Sequence, residues 1–253
     1  MKDVIISKLK EIEEKEKIRI ILAVESGSRA WGFASTDSDY DVRFIYIRPK
    51  DEYLRLEKRR DVIEYPINDE LDINGWDLDK TLKLLHDSNP TLFEWFNSPI
   101  VYKETEEASE IRKLFNDHFS VKKSLHHYLS MSTTNYREFI RDHELVKAKK
   151  YFYVLRPLLA ARYVLRTRQI PPIEFGKLRK EELPHELDDV IDDLLDIKIN
   201  NPEIKMIRPI IKLNEYLEKE HVTLQLIAEG IEDDRNKNWT DLNHLFRKLL
   251  ERR

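Results

Sequence analysis

The chain has 253 residues, 36% of them charged, a net charge of −4 and no cysteine. That length buries a substantial core, as one large domain or two smaller ones, and the missing cysteine excludes disulfides and thiolate metal sites. No uncharged apolar run is long enough to span a bilayer, and Met1-Lys2-Asp3-Val4-Ile5 lacks a signal-peptide pattern, so a soluble cytoplasmic protein is expected.

Across residues 2–16, Val4, Ile5, Leu9 and Ile12 recur at helical spacing with charge elsewhere, which predicts an amphipathic helix laid on a sheet. Residues 19–24 read as a β-branched strand and residues 40–48 as a second one, ended by Pro49. Between them runs Glu-Ser-Gly-Ser-Arg-Ala-Trp-Gly-Phe-Ala-Ser-Thr-Asp-Ser-Asp-Tyr-Asp, residues 25–41. Gly27 and Gly32 are two of only five glycines in the chain. Glycine lets a backbone turn sharply or approach a ligand closely, and Ser28 adds a hydroxyl and a backbone N–H suited to phosphate oxygens. Asp39 and Asp41, two residues apart, share one face of a strand. Paired carboxylates are costly without a cation between them, and a hard divalent ion such as Mg²⁺ takes one or two carboxylates plus substrate phosphates. An isolated Asp-x-Asp most often marks a turn. Here the Gly-Ser turn, the second glycine, the paired Asp and two flanking strands come in order, which points instead to a metal and phosphate site.

Residues 51–60 are highly charged and read as a surface helix or loop. A strand follows at 61–65, a turn at 66–70 and a returning strand at 71–74, where Asp72 stands between Leu71 and Ile73. Taken alone, Asp72 reads as the solvent side of a half-buried strand. Asp77 precedes an apolar helical run over 78–86 and reads as its N-cap. Asn89-Pro90 open another helix through Trp95, with Trp76 and Trp95 as core residues. From Thr105 the pattern is helical, near 105–117, 119–142, 144–169, 183–199, 203–219 and 238–252, with breaks at Leu183-Pro184, Asn201-Pro202 and Gly230. The division expected is 1–104 and 105–253.

Charge is uneven along the chain. Residues 119–180 carry 14 Lys/Arg against 4 Asp/Glu, residues 1–100 carry 16 against 21, and residues 181–253 carry 11 against 18. A basic block suits a polyanion such as a nucleoside triphosphate or RNA, and equally a solvated helix face. Within it Lys147, Lys150 and Tyr151 share a helix face by their spacing. Arg156 lies off that line unless Pro157 bends the helix. The histidines lack metal-ligand spacing, and the acidic runs at 188–193 and 232–234 read as solvated faces.

Gly27-Ser28, ten residues, then Asp39-x-Asp41 resembles the signature of the polymerase-beta-type nucleotidyltransferase superfamily, and residues 25–34 are more specifically similar to the RlaP/YcgL-like predicted nucleotidyltransferases. Gly75-Trp76-Asp77-Leu78, residues 88–95 and residues 150–157 look like that family's other blocks. The resemblance implies an α+β fold: a small mixed β-sheet nucleotidyltransferase domain with flanking helices, followed by an all-α C-terminal domain. It implies transfer of a nucleoside monophosphate from an NTP to an acceptor hydroxyl, an RNA end favoured, with release of pyrophosphate. In that scheme Gly27 and Ser28 hold the β/γ phosphates, and Arg29 adds phosphate charge or braces the loop. Asp39 and Asp41 bind Mg²⁺ (or Mn²⁺). Asp72 matches the third carboxylate, completing the metal site and deprotonating the acceptor. Lys147, Lys150, Tyr151 and Arg156 reach the triphosphate by analogy with a helical segment in relatives. RNA or an RNA ligase is the implied partner. The competing readings are a non-catalytic nucleotide- or RNA-binding module and a toxin- or antitoxin-type nucleotidyltransferase that modifies a protein.

Overall fold

A computed structural model of the chain describes residues 1–36, 38–65, 70–200 and 206–252. In chain order the elements are α1 (Lys2–Glu16), β1 (Arg19–Glu25), α2 (Gly27–Trp31), β2 (Tyr40–Ile47), α3 (Lys50–Tyr53), β3 (Val62–Glu64), β4 (Leu71–Asp77), α4 (Leu78–His86), α5 (Pro90–Phe96) and β5 (Val101–Glu104). There follow α6 (Glu106–Arg112), α7 (Phe115–His118), α8 (Val121–Phe139), β6 (Val146–Lys147), α9 (Ala148–Thr167), α10 (Phe175–Glu182), α11 (Asp188–Asn200), β7 (Met206–Ile207), α12 (Ile211–Glu229) and α13 (Thr240–Glu251). The fold is mixed α+β, as expected. No described helix is long and apolar enough to cross a membrane.

Packing divides the chain into two units. One comprises residues 1–30, 39–119 and 235–253, the other residues 31–38 and 120–234. In the first unit α13 packs on α4 and α6, and residues 31–38 pack in the second. There Trp31 meets Tyr153 edge-on, and Phe33 lies against Phe152 and Phe175.

The first unit is built on a five-stranded sheet of order β3-β4-β2-β1-β5. β1 pairs antiparallel with β2 and β5, β3 antiparallel with β4, and β2 parallel with β4. The amphipathic stripe of α1 buries Ile5, Leu9 and Ile12 against Ile20, Val42, Phe44, Tyr46, Leu71 and Ile73, while Val4, expected on that stripe, is exposed. Alternation along the strands therefore turns Asp41, Arg43, Asp72 and Asn74 to the opposite face. Gly75 sits across from Phe44, and a Cβ there would collide with the Phe44 ring. Asp77 caps α4 as expected, accepting from the Asp79 amide at 3.3 Å, and Trp76 stacks on Trp95 at 3.6 Å.

In the second unit α8 and α9 pair, with α10, α11 and α12 packed on α9, so α9 is buried on nearly every side. Of the helix expected over 203–219, the described residues 206–219 form β7 and then the start of α12. Pro209 lacks an N–H and delays the helix to Ile211. It then runs on to Glu229 because Leu213, Leu217, His221, Leu224 and Ala228 continue one buried stripe. Gly230 ends it as expected. β5, α10 and the β6–β7 ribbon have no counterpart among the sequence expectations. Most of the 66–70 turn and the Asn201-Pro202 break lie outside the described residues.

Candidate active site

β1 runs apolar and buried to its last residue, where a carboxylate takes over: Glu25 is fully buried. Its Oε1 accepts the Asp41 backbone N–H at 2.8 Å, its Oε2 accepts the Tyr102 hydroxyl, and its own carbonyl accepts the Ser98 hydroxyl at 2.6 Å. Burial raises the Glu25 carboxyl above its ordinary range, against the lowering pull of the Tyr102 hydroxyl and the Asp41 N–H. The Ser26 amide donates to the Asp41 carbonyl at 2.8 Å. Glu25 and Ser26 thus pin the start of β2 by its main chain.

Gly27 follows with φ +59°, in the left-handed region. A Cβ at this position would stand 2.9 Å from Asp41 Cγ and closer still to Oδ2. Glycine is required here twice over, by its dihedral and by the carboxylate that lies against it. Ser28 and Arg29 continue into α2. The Arg29 guanidinium lies 3.7 Å from the Tyr40 ring centre and its Nε donates to the Asp39 carbonyl at 3.2 Å. That contact ties α2 to the segment leading into β2. Asp39 itself is exposed just before the strand.

The parallel register of β2 and β4 places Asp41 directly across from Asp72. Their side chains are 30% and 29% exposed. Between them stands Arg43: Nη2 donates to Asp41 Oδ1 at 3.1 Å and to Asp72 Oδ2 at 2.7 Å, and Nη1 to the carbonyls of Val42 and Asp72, each at 3.2 Å. Burial raises the Asp41 carboxyl, Arg43 pulls it down, and the like charges of Asp72 and Asp39 raise it again. Sequence reasoning missed Glu25 and Arg43. Each carried a signal, a charged residue set among apolar ones on a strand, and Arg43 stands two residues from Asp41 on the same face.

Among the described residues no three acidic or histidine side chains form a ready metal cluster. The donor set nevertheless fits a hard divalent cation. Two carboxylates, Asp41 and Asp72, converge on one positive group, the Arg43 guanidinium, and Asp39 offers a further, exposed carboxylate just before the strand.

The basic residues lie in the second unit. Lys147 is exposed and precedes the first turn of α9 rather than lying on it. Lys150 lies with Nζ 3.3 Å from the Phe139 ring centre, and burial together with Lys149 lowers its ammonium. Tyr151 and Arg156 correct the expectation of a shared phosphate-binding surface. Tyr151 is fully buried, donating to Asn214 Oδ1 and accepting the Ile210 N–H, both at 2.9 Å. Arg156 is 2% exposed, donates from Nε to the Ile173 carbonyl at 3.0 Å and stacks 4.6 Å from the Trp31 ring centre. Both point into the packed interior because α9 is enclosed by its neighbours.

The chain is 42% identical over 253 residues to the uncharacterized protein YcgL of Bacillus subtilis (strain 168), covering 99% of this chain and 97% of that one. A nucleotidyltransferase-like protein from Exiguobacterium sibiricum 255-15 aligns at 14% identity with a TM-score of 0.32, over 98% of this chain and 80% of its own. The family model described as RlaP, RNA repair pathway DNA polymerase beta family, matches residues 1–248. The chain belongs to that family, a branch of the polymerase-beta nucleotidyltransferase family.

Proposed function

We propose that this protein transfers a nucleoside monophosphate from an NTP to a hydroxyl at an RNA end. One observation carries the reading: Asp41 and Asp72 face each other in parallel register and converge on a single cation, in a chain of the nucleotidyltransferase family. Asp39, Asp41 and Asp72 would hold Mg²⁺ or Mn²⁺. Such an ion, when bound, neutralises triphosphate charge and favours the alkoxide form of the acceptor.

The chain's own groups do the rest. Gly27 brings bare backbone against the Asp41 carboxylate, and with the Ser28 hydroxyl it would cradle the β/γ phosphates. Glu25 and Ser26 fix the Asp41 main chain, so the carboxylate is positioned before substrate arrives. Asp72 would take the acceptor proton. The acceptor oxygen then bonds to the α-phosphorus as the bond to the bridging oxygen breaks and pyrophosphate leaves. Lys147 remains a candidate triphosphate contact because its side chain is exposed. Tyr151 and Arg156 are assigned to packing. We keep 1–104 as the catalytic domain and 105–253 as the helical one, with an RNA ligase as the partner to test.

Incubation with each α-labelled NTP, Mg²⁺ or Mn²⁺ and RNA tests the reading, beside the Asp39→Ala/Asp41→Ala double variant. Label on RNA with the wild type alone is the expected result. Label on a protein instead would move the acceptor to the protein-modifying class. No label, together with no metal-dependent NTP binding, would leave a binding module.

A further inference from the structure

Arg43 is the one cation that touches both carboxylates across the β2–β4 pair, among the described residues. Its side chain leaves the same strand face as Asp41, two residues on. Its two terminal nitrogens divide the work: Nη2 holds the carboxylate oxygens, and Nη1 holds the main-chain carbonyls of Val42 and Asp72. The carbonyl anchor does not depend on the carboxylates. Nη2 can release both oxygens while the side chain stays tethered.

We propose that Arg43 is a tethered counter-cation, which keeps Asp41 and Asp72 convergent without a divalent ion and yields their oxygens when one binds. This rests on the reading of Asp41 and Asp72 as metal ligands. Two half-buried carboxylates facing each other repel, and without a partner they turn apart or take up a proton. One guanidinium bonds to both carboxylates, while Arg29 and Asp39 act on Asp41 through space with opposite sign, so the pair is held but left short of charge. A divalent ion and a guanidinium cannot share the same oxygen lone pairs at bonding distance, because the two cations repel strongly in a partly buried site. Binding therefore exchanges one cation for the other. The released Nη2 faces the ligand side with its donors free, suited to an anionic phosphate oxygen.

The alternative is that Arg43 only braces two parallel strands. The two roles predict opposite signs for metal affinity. A brace, once removed, lets the carboxylates splay and weakens the metal site. A competitor, once removed, strengthens it.

Mn²⁺ affinity is measured by electron paramagnetic resonance, alone and with α,β-methylene ATP, on wild type, Arg43→Gln, Arg43→Lys and Asp41→Asn/Asp72→Asn. Thermal unfolding is followed by circular dichroism on the same samples. Arg43→Gln is expected to bind Mn²⁺ about tenfold tighter than wild type, from the loss of one adjacent positive charge. Its metal-free midpoint should fall and its gain in midpoint on adding Mn²⁺ should exceed that of wild type. Arg43→Lys keeps the charge, loses the fork and should lie between, which carries the test if Arg43→Gln does not fold. Mn²⁺ affinity unchanged or weaker in the variants, with wild type binding normally, overturns the proposal. Absence of Mn²⁺ binding in every protein, nucleotide present, instead sinks the metal reading on which the proposal stands. The control distinguishes these outcomes: binding lost only in Asp41→Asn/Asp72→Asn confirms the ligands.

Discussion

The two ends of the β2–β4 pair treat carboxylates in opposite ways. At one end Asp41 and Asp72 share the single guanidinium of Arg43, with both side chains near 30% exposed. At the other, Asp77 lies across from Tyr46, is fully buried and gathers more than it needs. It accepts from the Tyr53 hydroxyl at 2.7 Å, Arg48 Nε at 3.2 Å, Arg59 Nη2 at 3.4 Å and the Asp79 amide. At one end two carboxylates share one bonded cation; at the other two guanidinium groups close on the one buried carboxylate, with Asp79 a further 3.9 Å from Arg59. A saturated, dry carboxylate has nothing left to exchange and serves the fold. A charge-deficient, partly wet pair is ready to take another cation. The same sheet therefore carries a saturated, dry carboxylate at one end and a partly exposed pair sharing one bonded cation at the other.

Asp77→Ala is the largest expected loss. It strips a helix cap and leaves two guanidinium groups without their buried anion, a cost of about 4 kcal/mol. Chemical denaturation should show it, and an effect below about 1 kcal/mol would break the contrast between the two ends. Glu107 supplies a one-to-one case. Burial would raise its carboxyl, but hydrogen bonds at the start of α6 and the Arg19 guanidinium outweigh that and hold it at about 2. A carboxyl depressed in the folded state adds stability above its unfolded value of 4.5 and loses it as pH falls through the window to about 2. Glu107→Gln should cost on the order of 3 kcal/mol at neutral pH and nothing near pH 2. Unfolding free energies from pH 2 to 7, wild type against variant, give the curve. A difference independent of pH would mean the pair contributes through packing alone. Next in size, Gly27→Ala forces φ +59° on an L side chain at roughly 1–2 kcal/mol and pushes aside the Asp41 carboxylate. Metal affinity and label transfer should fall far more than stability does, and intact Mn²⁺ binding in this variant would contradict the close approach.

Much of the charge-deficient end was legible in the chain, because its cues are local. The glycine turn, the two-residue spacing of Asp39 and Asp41 and the strand boundaries all lie within thirty residues. The N-cap role of Asp77 was legible for the same reason. What could not be read was pairing. That Asp41 meets Asp72 follows from a parallel register between strands separated by β3, and a parallel register leaves no local trace. Asp72 reached the site only through the family resemblance. Arg43 looked like one strand charge among many, since its meaning depends on that register. Tyr151 and Arg156 misled for a different reason. A helix enclosed by several neighbours has no single apolar stripe, so spacing cannot tell which polar residues face water. Arg156 donates to the Ile173 carbonyl and lies against an indole face, partners that no sequence pattern announces.

The smallest effect on stability should come from Asp72→Asn, which tests the stoichiometric argument most directly. The amide oxygen can still accept from Arg43 Nη2, as Asp72 Oδ2 does at 2.7 Å, so geometry is kept while one of two like charges is removed. What remains is one anion to one cation, a balanced pair. Stability should change by less than about 1 kcal/mol, because lost attraction to Arg43 is offset by relieved repulsion from Asp41. The matching change at the other end, Asp77→Asn, leaves Arg48 without its buried anion and Arg59 with only the more distant Asp79 at 3.9 Å, and should cost several times more. Function should reverse the order, with Asp72→Asn abolishing Mn²⁺-dependent label transfer. Asp77→Asn, assayed well below its own unfolding midpoint, should keep it. If Asp72→Asn destabilised the fold as much as Asp77→Asn, the Asp41–Arg43–Asp72 group would be a structural ion cluster, and chemistry would have to be sought elsewhere on the sheet.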